Sequence, residues 1–408
     1  MGKRRVVITG IGVIAPNGIG KDDFWYALKT GRCGIKNISF FDTTDFPVKI
    51  AGEVRGFIPE EFVEKKKARK MARFSQFAVA CSKMALEDAK IISKNCSGRK
   101  IGIVMGVAST DIRTVEHQCK GLYLKGKERV QAFASAVGLP NAPAGAIAEV
   151  CGINNCNLTV STGCAAGLDA LGVAYQLIKE GSINIALSGG SDSPVTPVML
   201  ACLEAAGMVT KSMDPVKASR PFDRYRDGGV LSEGAAVVIM EELESALSRG
   251  ANIYGEIVGY GQSIESKEEM MGAGLKRAIE KCFSEADISP DKVSYISAHG
   301  PSDRILDLCE TNVLKDVFGS YIYRIPVSSI KGHIGNPYSA AGVMQVISVL
   351  MGMKEDVVVP TINYEFPDPD CDLDYVPNYP RQNEINIALV NSHGLGGSSS
   401  SLLIRKVI

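Results

Sequence analysis

The chain has 408 residues, 45% of them hydrophobic, with 45 basic and 45 acidic side chains and a formal net charge of zero. That length supports a large core, and the charge balance excludes the basic field expected of a protein that binds nucleic acid or an anionic membrane. Eleven cysteines lie scattered without a CxxC pair, so they read as reduced thiols of a cytoplasmic protein with no metal site.

Taken in chain order, the first element is RVVITGIGV (5–13). Its basic lead and apolar run resemble a signal peptide, but Pro16-Asn17-Gly18 closes the run as a turn and no small-residue cleavage site follows. Gly10-Ile11-Gly12-Val13-Ile14-Ala15 fits a dinucleotide G-x-G-x-x-A, yet no helix opens at Gly12, so a nucleotide cofactor is not expected. A helical pattern at 74–89 leads to strands at 101–107, 157–161, 183–190 and 235–242. The series then restarts, with strands at 252–261, 293–300, 325–329, 385–392 and 400–407 and a helical pattern at 272–286. Strands alternating with helices predict an α/β fold with a buried sheet, and no apolar run approaches the ~18 residues of a membrane span.

The two series read as one unit used twice. INIAL occurs at 183–187 and at 385–389, and each half has a strand ending in Val-Ser, at Val160-Ser161 and Val327-Ser328, that feeds a turn. The halves are therefore 1–250 and 251–408. A duplicated unit sets equivalent strand-end turns opposite each other, where ligands sit in such folds, so Cys164 is expected to face IKGHIGNPYSAAG (330–342).

Cys164 follows a strand and precedes the apolar helical pattern LDALGVAYQLI. Unpaired N–H groups and the helix dipole favour thiolate there, and the small residues around it leave room for a substrate. A buried structural cysteine is the competing reading. Of four histidines, His299, His333 and His393 fall at or after strand ends of the second half. Each alone is an unremarkable polar residue, but three facing a cysteine suggest a thiol–imidazole site. The glycine-rich NSHGLGG (391–397) offers backbone N–H groups for an oxyanion.

The ordered motifs STGCAAGLDA, ASRPFDRYRDGGVLSEGAAVVIMEELE, ISAHG, PVSSIKGHIG and NSHGLGG resemble the elongating β-ketoacyl-acyl-carrier-protein synthases, and especially the ketosynthase subunits of type II polyketide systems. The resemblance runs essentially end to end. It implies a thiolase-like duplicated fold of five layers, αβαβα. It implies an acyltransferase in which Cys164 takes an acyl group from an acyl carrier protein and a malonyl thioester then loses CO₂ and attacks it. The N–H groups of Cys164 and Leu395 would form the oxyanion hole, His299 would assist decarboxylation, and Lys331 would pair with Glu310. No cofactor is implied beyond the phosphopantetheine of the carrier protein. Basic residues of EKKKARK (64–70), with Lys67, Arg69 and Lys70 as candidates, would dock that protein; a solvated surface is the plainer reading.

Departures from the family pattern cluster near the thiol. Asn336 stands where the family has its second histidine, and His333 lies three residues earlier. Two threonines of the family's HGTST become Pro301 and Asp303. The gating phenylalanine becomes Leu395, the one two residues before it His393, and that of DGF Gly229. These changes predict a specialised condensing enzyme in which His393 replaces the missing histidine. Two alternatives remain at this level: an acyltransferase that loads Cys164 and passes the acyl group on without condensation, and a non-elongating partner subunit like a chain-length factor. Dimerisation through the strand before Cys164 is implied, as a homodimer or as a heterodimer with a related subunit.

Overall fold

The computed structural model describes residues 4–91 and 100–407. Ten strands carry the architecture: β1 (Val6–Ala15), β2 (Ile101–Gly106), β3 (Asn157–Val160), β4 (Ile185–Asp192), β5 (Gly234–Glu242), β6 (Gly255–Ile264), β7 (Tyr295–Ser297), β8 (Val327–Ser328), β9 (Ile387–His393) and β10 (Ser398–Arg405). The helices that matter for the site are α1 (Arg73–Asp88), α2 (Ala166–Lys179), α3 (Ala273–Ala286), α4 (Arg304–Phe318) and α5 (Ser339–Glu355). Among the described residues no helix is long and apolar enough to cross a membrane.

The strands run in the order β8-β7-β9-β10-β6-β1-β5-β4-β2-β3. Outward from the β6–β1 junction the order is the same in both directions: first, last, fourth, second and third strand of each series. The two halves meet where Val6, Val7 and Ile8 pair antiparallel with Ile257, Glu256 and Gly255. The repeated INIAL lies at the starts of the equivalent strands β4 and β9, and the two Val-Ser segments lie at β3 and β8, the two edges. The expected strands at 293–300 and 325–329 are shorter than the pattern suggested. The N–H groups of His299 and Gly300 leave the ladder and donate to the Glu310 carboxylate, each at 2.9 Å.

Five layers follow from which helix faces which half-sheet. α1 packs on β1 and β5, and α3 packs on β6 and β10 with α4 beside it. Between the half-sheets lie α2 and α5, which touch each other and strands of both halves. The sequence of α5 is apolar on all sides, and every residue from Ser339 to Met353 is buried, as expected of an inner-layer helix. Each fully buried Val, Leu or Ile there contributes about 1.5–3 kcal/mol of transfer free energy. Its one amide, Gln345, donates to the carbonyls of Ala298 (2.8 Å) and Ser297 (3.1 Å), and so holds the end of β7 just before His299. The glycine at position 12 is a packing device: a Cβ there would lie 1.9 Å from the Cys81 carbonyl oxygen of α1.

Candidate active site

Cys164 stands on a sharp turn between β3 and α2. Gly163 has φ 64°, which glycine adopts without steric cost, and α2 begins at Ala166. The turn is fixed from below by Asp169, whose carboxylate accepts from Thr162, Ser400 and Tyr260. It is fixed from the other half by Ser392, whose hydroxyl donates to the Cys164 carbonyl at 3.1 Å. The glycine-rich turn after β9 sits directly on it: a Cβ on Gly394 would lie 2.5 Å from the Thr162 carbonyl oxygen and 3.3 Å from the Cys164 nitrogen. The amides of Cys164 and Leu395 therefore share one small volume, with the Leu395 N–H directed at the thiol.

The thiol is not the thiolate that its position before a helix led us to expect. Burial raises its pKa to about 11, against the opposing pull of Lys331 and of the Asn336 amide. Desolvation outweighs the helix dipole because Cys164 is only 5% exposed.

Opposite Cys164, the segment after β8 forms one short helical turn (Lys331–Ile334), then Gly335 at φ 70°, then Asn336. Asn336 Nδ2 points at Cys164 Sγ from 3.9 Å, and its Oδ1 is buried without a partner. Lys331 is fully buried. Its ammonium lies 3.3 Å from His299 Nδ1 and donates to the His299 carbonyl oxygen. Burial lowers its pKa to about 8. His299 is held neutral, because burial and the neighbouring ammonium push its pKa well below the usual imidazole value. A cation facing Nδ1 makes that nitrogen the acceptor, which assigns the ring proton to Nε2.

Two further sequence expectations are corrected. Glu310 does not pair directly with Lys331; its oxygens are taken by the amides of His299 and Gly300 and by Asn391 Nδ2 at 3.2 Å. Backbone donors at 2.9 Å outcompete the ammonium, which turns to the His299 carbonyl and acts on Glu310 through space only. His333 does not reach the site. Its ring is fully buried on the far side of the Lys331 turn, facing the carbonyls of Leu28 and Ile330 without a well-formed hydrogen bond, and its pKa falls to about 4 through burial. A helical turn spaces residues by about 100°, so residues two apart in it cannot both face the thiol.

His393 does reach the site. Its Nδ1 lies 2.9 Å from Ser399 Oγ, and its ring centre is 6.3 Å from that of His299. Cys164, His299, Asn336, His393, Leu395, Asp303 and Gly229 all line one cavity of about 160 Å³. Asp303 caps α4, its Oδ1 accepting from the amides of Ile305 and Leu306 at 2.9 Å each. The remaining lining is apolar, with Leu203, Met208, Val209, Leu231, Pro301 and Tyr338 among it.

Two models of one family cover most of the chain: the N-terminal domain of β-ketoacyl synthases matches residues 3–246 and the C-terminal domain matches residues 254–365. The chain belongs to the β-ketoacyl synthase family. It is 39% identical to a 3-oxoacyl-[acyl-carrier-protein] synthase 2 of Synechocystis sp., over 99% of this chain and 98% of the relative. It is 37% identical to a putative polyketide β-ketoacyl synthase 1 of Streptomyces halstedii, over 98% of each. A type II polyketide ketosynthase solved with its acyl-carrier protein superposes with a TM-score of 0.91 at 33% identity, with both chains fully covered. The ishigamide ketosynthase/chain length factor superposes with a TM-score of 0.94 at 30% identity, again over both whole chains. The fold of this β-ketoacyl synthase is thus thiolase-like, and its enzyme class is that of the acyltransferases.

Several site residues escaped the sequence reading. Tyr338 was within view, two residues after Asn336, but its position against the thiol depends on a backbone at φ 51°. Asp192, at the end of β4, accepts from the amides of Ala108, Ser109 and Ser339, and so ties the Tyr338 turn to the first half. Nothing local in the sequence marks it. The docking candidates separate: Lys67 pairs with Glu149 at 2.9 Å on the surface. Arg69 and Lys70 instead line a basic cavity of about 310 Å³ shared with Arg113, His117 and Gln131.

Proposed function

We propose that Cys164, His299, Asn336 and Lys331 carry out a decarboxylative condensation between a Cys164-bound acyl group and a malonyl-type thioester on an acyl carrier protein. The observation that carries this reading is the single cavity holding a thiol, an amide aimed at it, two imidazoles and two convergent backbone N–H groups.

Loading is proton-neutral overall. The Cys164 sulfur attacks the acyl carbon, the carbon–sulfur bond to the carrier breaks, and the thiol proton ends on the carrier's pantetheine sulfur. The Cys164 and Leu395 N–H groups stabilise the oxyanion. Lys331 and Asn336 favour charge on the sulfur during attack, which matters because the resting thiol is protonated. In the second step the malonyl thioester oxygen accepts from His299 Nε2–H and Asn336 Nδ2–H, so the charge released with CO₂ is received by two fixed donors. The carbanion then attacks the Cys164 thioester, and Cys164 leaves as a thiol after taking up one proton. Asn336 donates a hydrogen bond but cannot take up a proton and its charge; His393 is the second imidazole of the cavity and fills that role in this reading.

The carrier protein docks through Arg69 and Lys70, with Lys67 at the rim. The substrates arrive on its phosphopantetheine, and the site needs no resident cofactor. A second subunit of the same fold, as homodimer or heterodimer, covers edge strand β3, where Leu158 is 42% exposed.

Intact-mass analysis of a reaction with acyl- and malonyl-carrier protein tests the proposal. The expected result is an acylated Cys164 intermediate, CO₂ release and an elongated β-ketoacyl product. Acylation without CO₂ or elongation overturns condensation in favour of simple transfer. A His393→Ala variant that stays fully active with an unchanged pH profile overturns the role of His393.

A further inference from the structure

One wall of the cavity beside Cys164 is an apolar cluster in which Leu231 and Tyr338 pack with Cys164, Ala51 and Val195, with Phe40 and Phe41 packed against it. At Gly228 and Gly229 two adjacent glycines have different reasons to be glycine. Gly228 has φ 146°, and a Cβ there would lie 2.6 Å from the backbone of Val209. No other residue fits it. Gly229 has ordinary negative φ, and a Cβ there would meet only the Pro301 carbonyl oxygen at 3.1 Å and the Met208 carbonyl oxygen at 3.9 Å. The φ at 229 does not demand glycine, although a Cβ would press on the Pro301 carbonyl oxygen, which would have to give by a few tenths of an ångström. What glycine supplies there is volume, in the cavity whose lining includes Leu203, Met208, Val209 and Pro301.

That volume is apolar and lies close to the donors that receive the extender. Pro301 is two residues beyond His299, and the backbone N–H of Asn336 donates to the carbonyl of Val230, next to Gly229, at 2.8 Å. We infer that the lobe at Gly229 accepts an alkyl substituent on the α-carbon of the extender, so that this protein uses alkylmalonyl thioesters. The inference rests on the condensing reading above. The alkylmalonyl carboxylate leaves as CO₂, and its electron pair stays on the substituted α-carbon. That carbon bonds to the acyl carbon, the acyl–sulfur bond to Cys164 breaks, and the sulfur takes one proton from solvent. The product is an α-alkyl-β-ketoacyl thioester. An unbranched extender leaves the lobe empty and loses its contacts.

Competition between malonyl- and ethylmalonyl-carrier protein, read by intact mass of the carrier, tests this. The wild-type protein is expected to use both, with ethylmalonyl at least as efficient. Gly229→Phe fills the lobe and is expected to lower the ethylmalonyl-to-malonyl ratio by about tenfold or more, the range one or two methylenes command in an apolar pocket. Leu203→Phe adds bulk to the same cavity and is expected to shift the ratio the same way, should Gly229→Phe not fold. A wild type that elongates with malonyl but rejects ethylmalonyl, or a ratio unmoved in folded Gly229→Phe or Leu203→Phe, overturns the inference. Acylation of Cys164 with elongation from neither extender overturns the condensing reading itself, and this inference with it.

Discussion

The strand-to-helix turns of the two halves are built alike and carry different chemical groups. Each follows an edge strand ending in Val-Ser, and each places its working residue after a glycine at positive φ: Gly163 before Cys164, and Gly335 before Asn336. The difference lies in what surrounds them. The first turn stands against apolar side chains, and its thiol is held protonated. The second has a buried ammonium behind it and a buried carboxylate beyond. The frame supplies two facing positions, and the buried ammonium that pulls the thiol pKa down, Lys331, comes from the second half. Duplication fixes geometry; electrostatics, set by individual side chains, divides the labour.

Removing the thiol is the strongest way to break this comparison. Cys164→Ala is expected to abolish self-acylation and to lower condensation by more than about 10³-fold, read by intact mass and product formation. Lys331→Met removes the charge that the second turn lends to the first. Condensation should fall by about 10²-fold or more, and Cys164 should be alkylated by iodoacetamide more slowly at pH 8, because its pKa rises without the ammonium. Unchanged alkylation would place the source of thiol activation elsewhere.

His333 sharpens the comparison from the structural side, since it lies in the second turn but faces away from the site. Its folded pKa, about 4, is below the usual imidazole value of 6.5. The unfolded chain therefore binds a proton between pH 6.5 and 4 that the folded chain refuses, and stability falls as pH falls through that window. The expected loss is about 3 kcal/mol. His333→Leu should flatten that part of the stability-versus-pH curve in urea melts while leaving condensation at pH 7.5 intact. A large loss of activity would return His333 to the site.

The smallest expected effect is at the surface. The double variant Arg69→Glu, Lys70→Glu should raise the KM for carrier protein by about tenfold at low salt, with the difference shrinking as salt rises. A KM indifferent to both charge and salt would move docking to another face.

By itself the sequence was enough for the ten principal strands, the repeat and the cysteine. Short apolar runs, a recurring INIAL and a glycine before a lone thiol are local features, and local sterics and burial decide them. It also identified His299 and His393 by their places at strand ends, and Asn336 through the resemblance to the family pattern. Three things needed the tertiary structure. The protonation of Cys164 depends on how completely neighbours from both halves exclude water. The separation of Glu310 from Lys331 depends on which donors reach the carboxylate first. The exile of His333 depends on which way one helical turn faces. Each is a competition between groups far apart in sequence, settled by distance and desolvation.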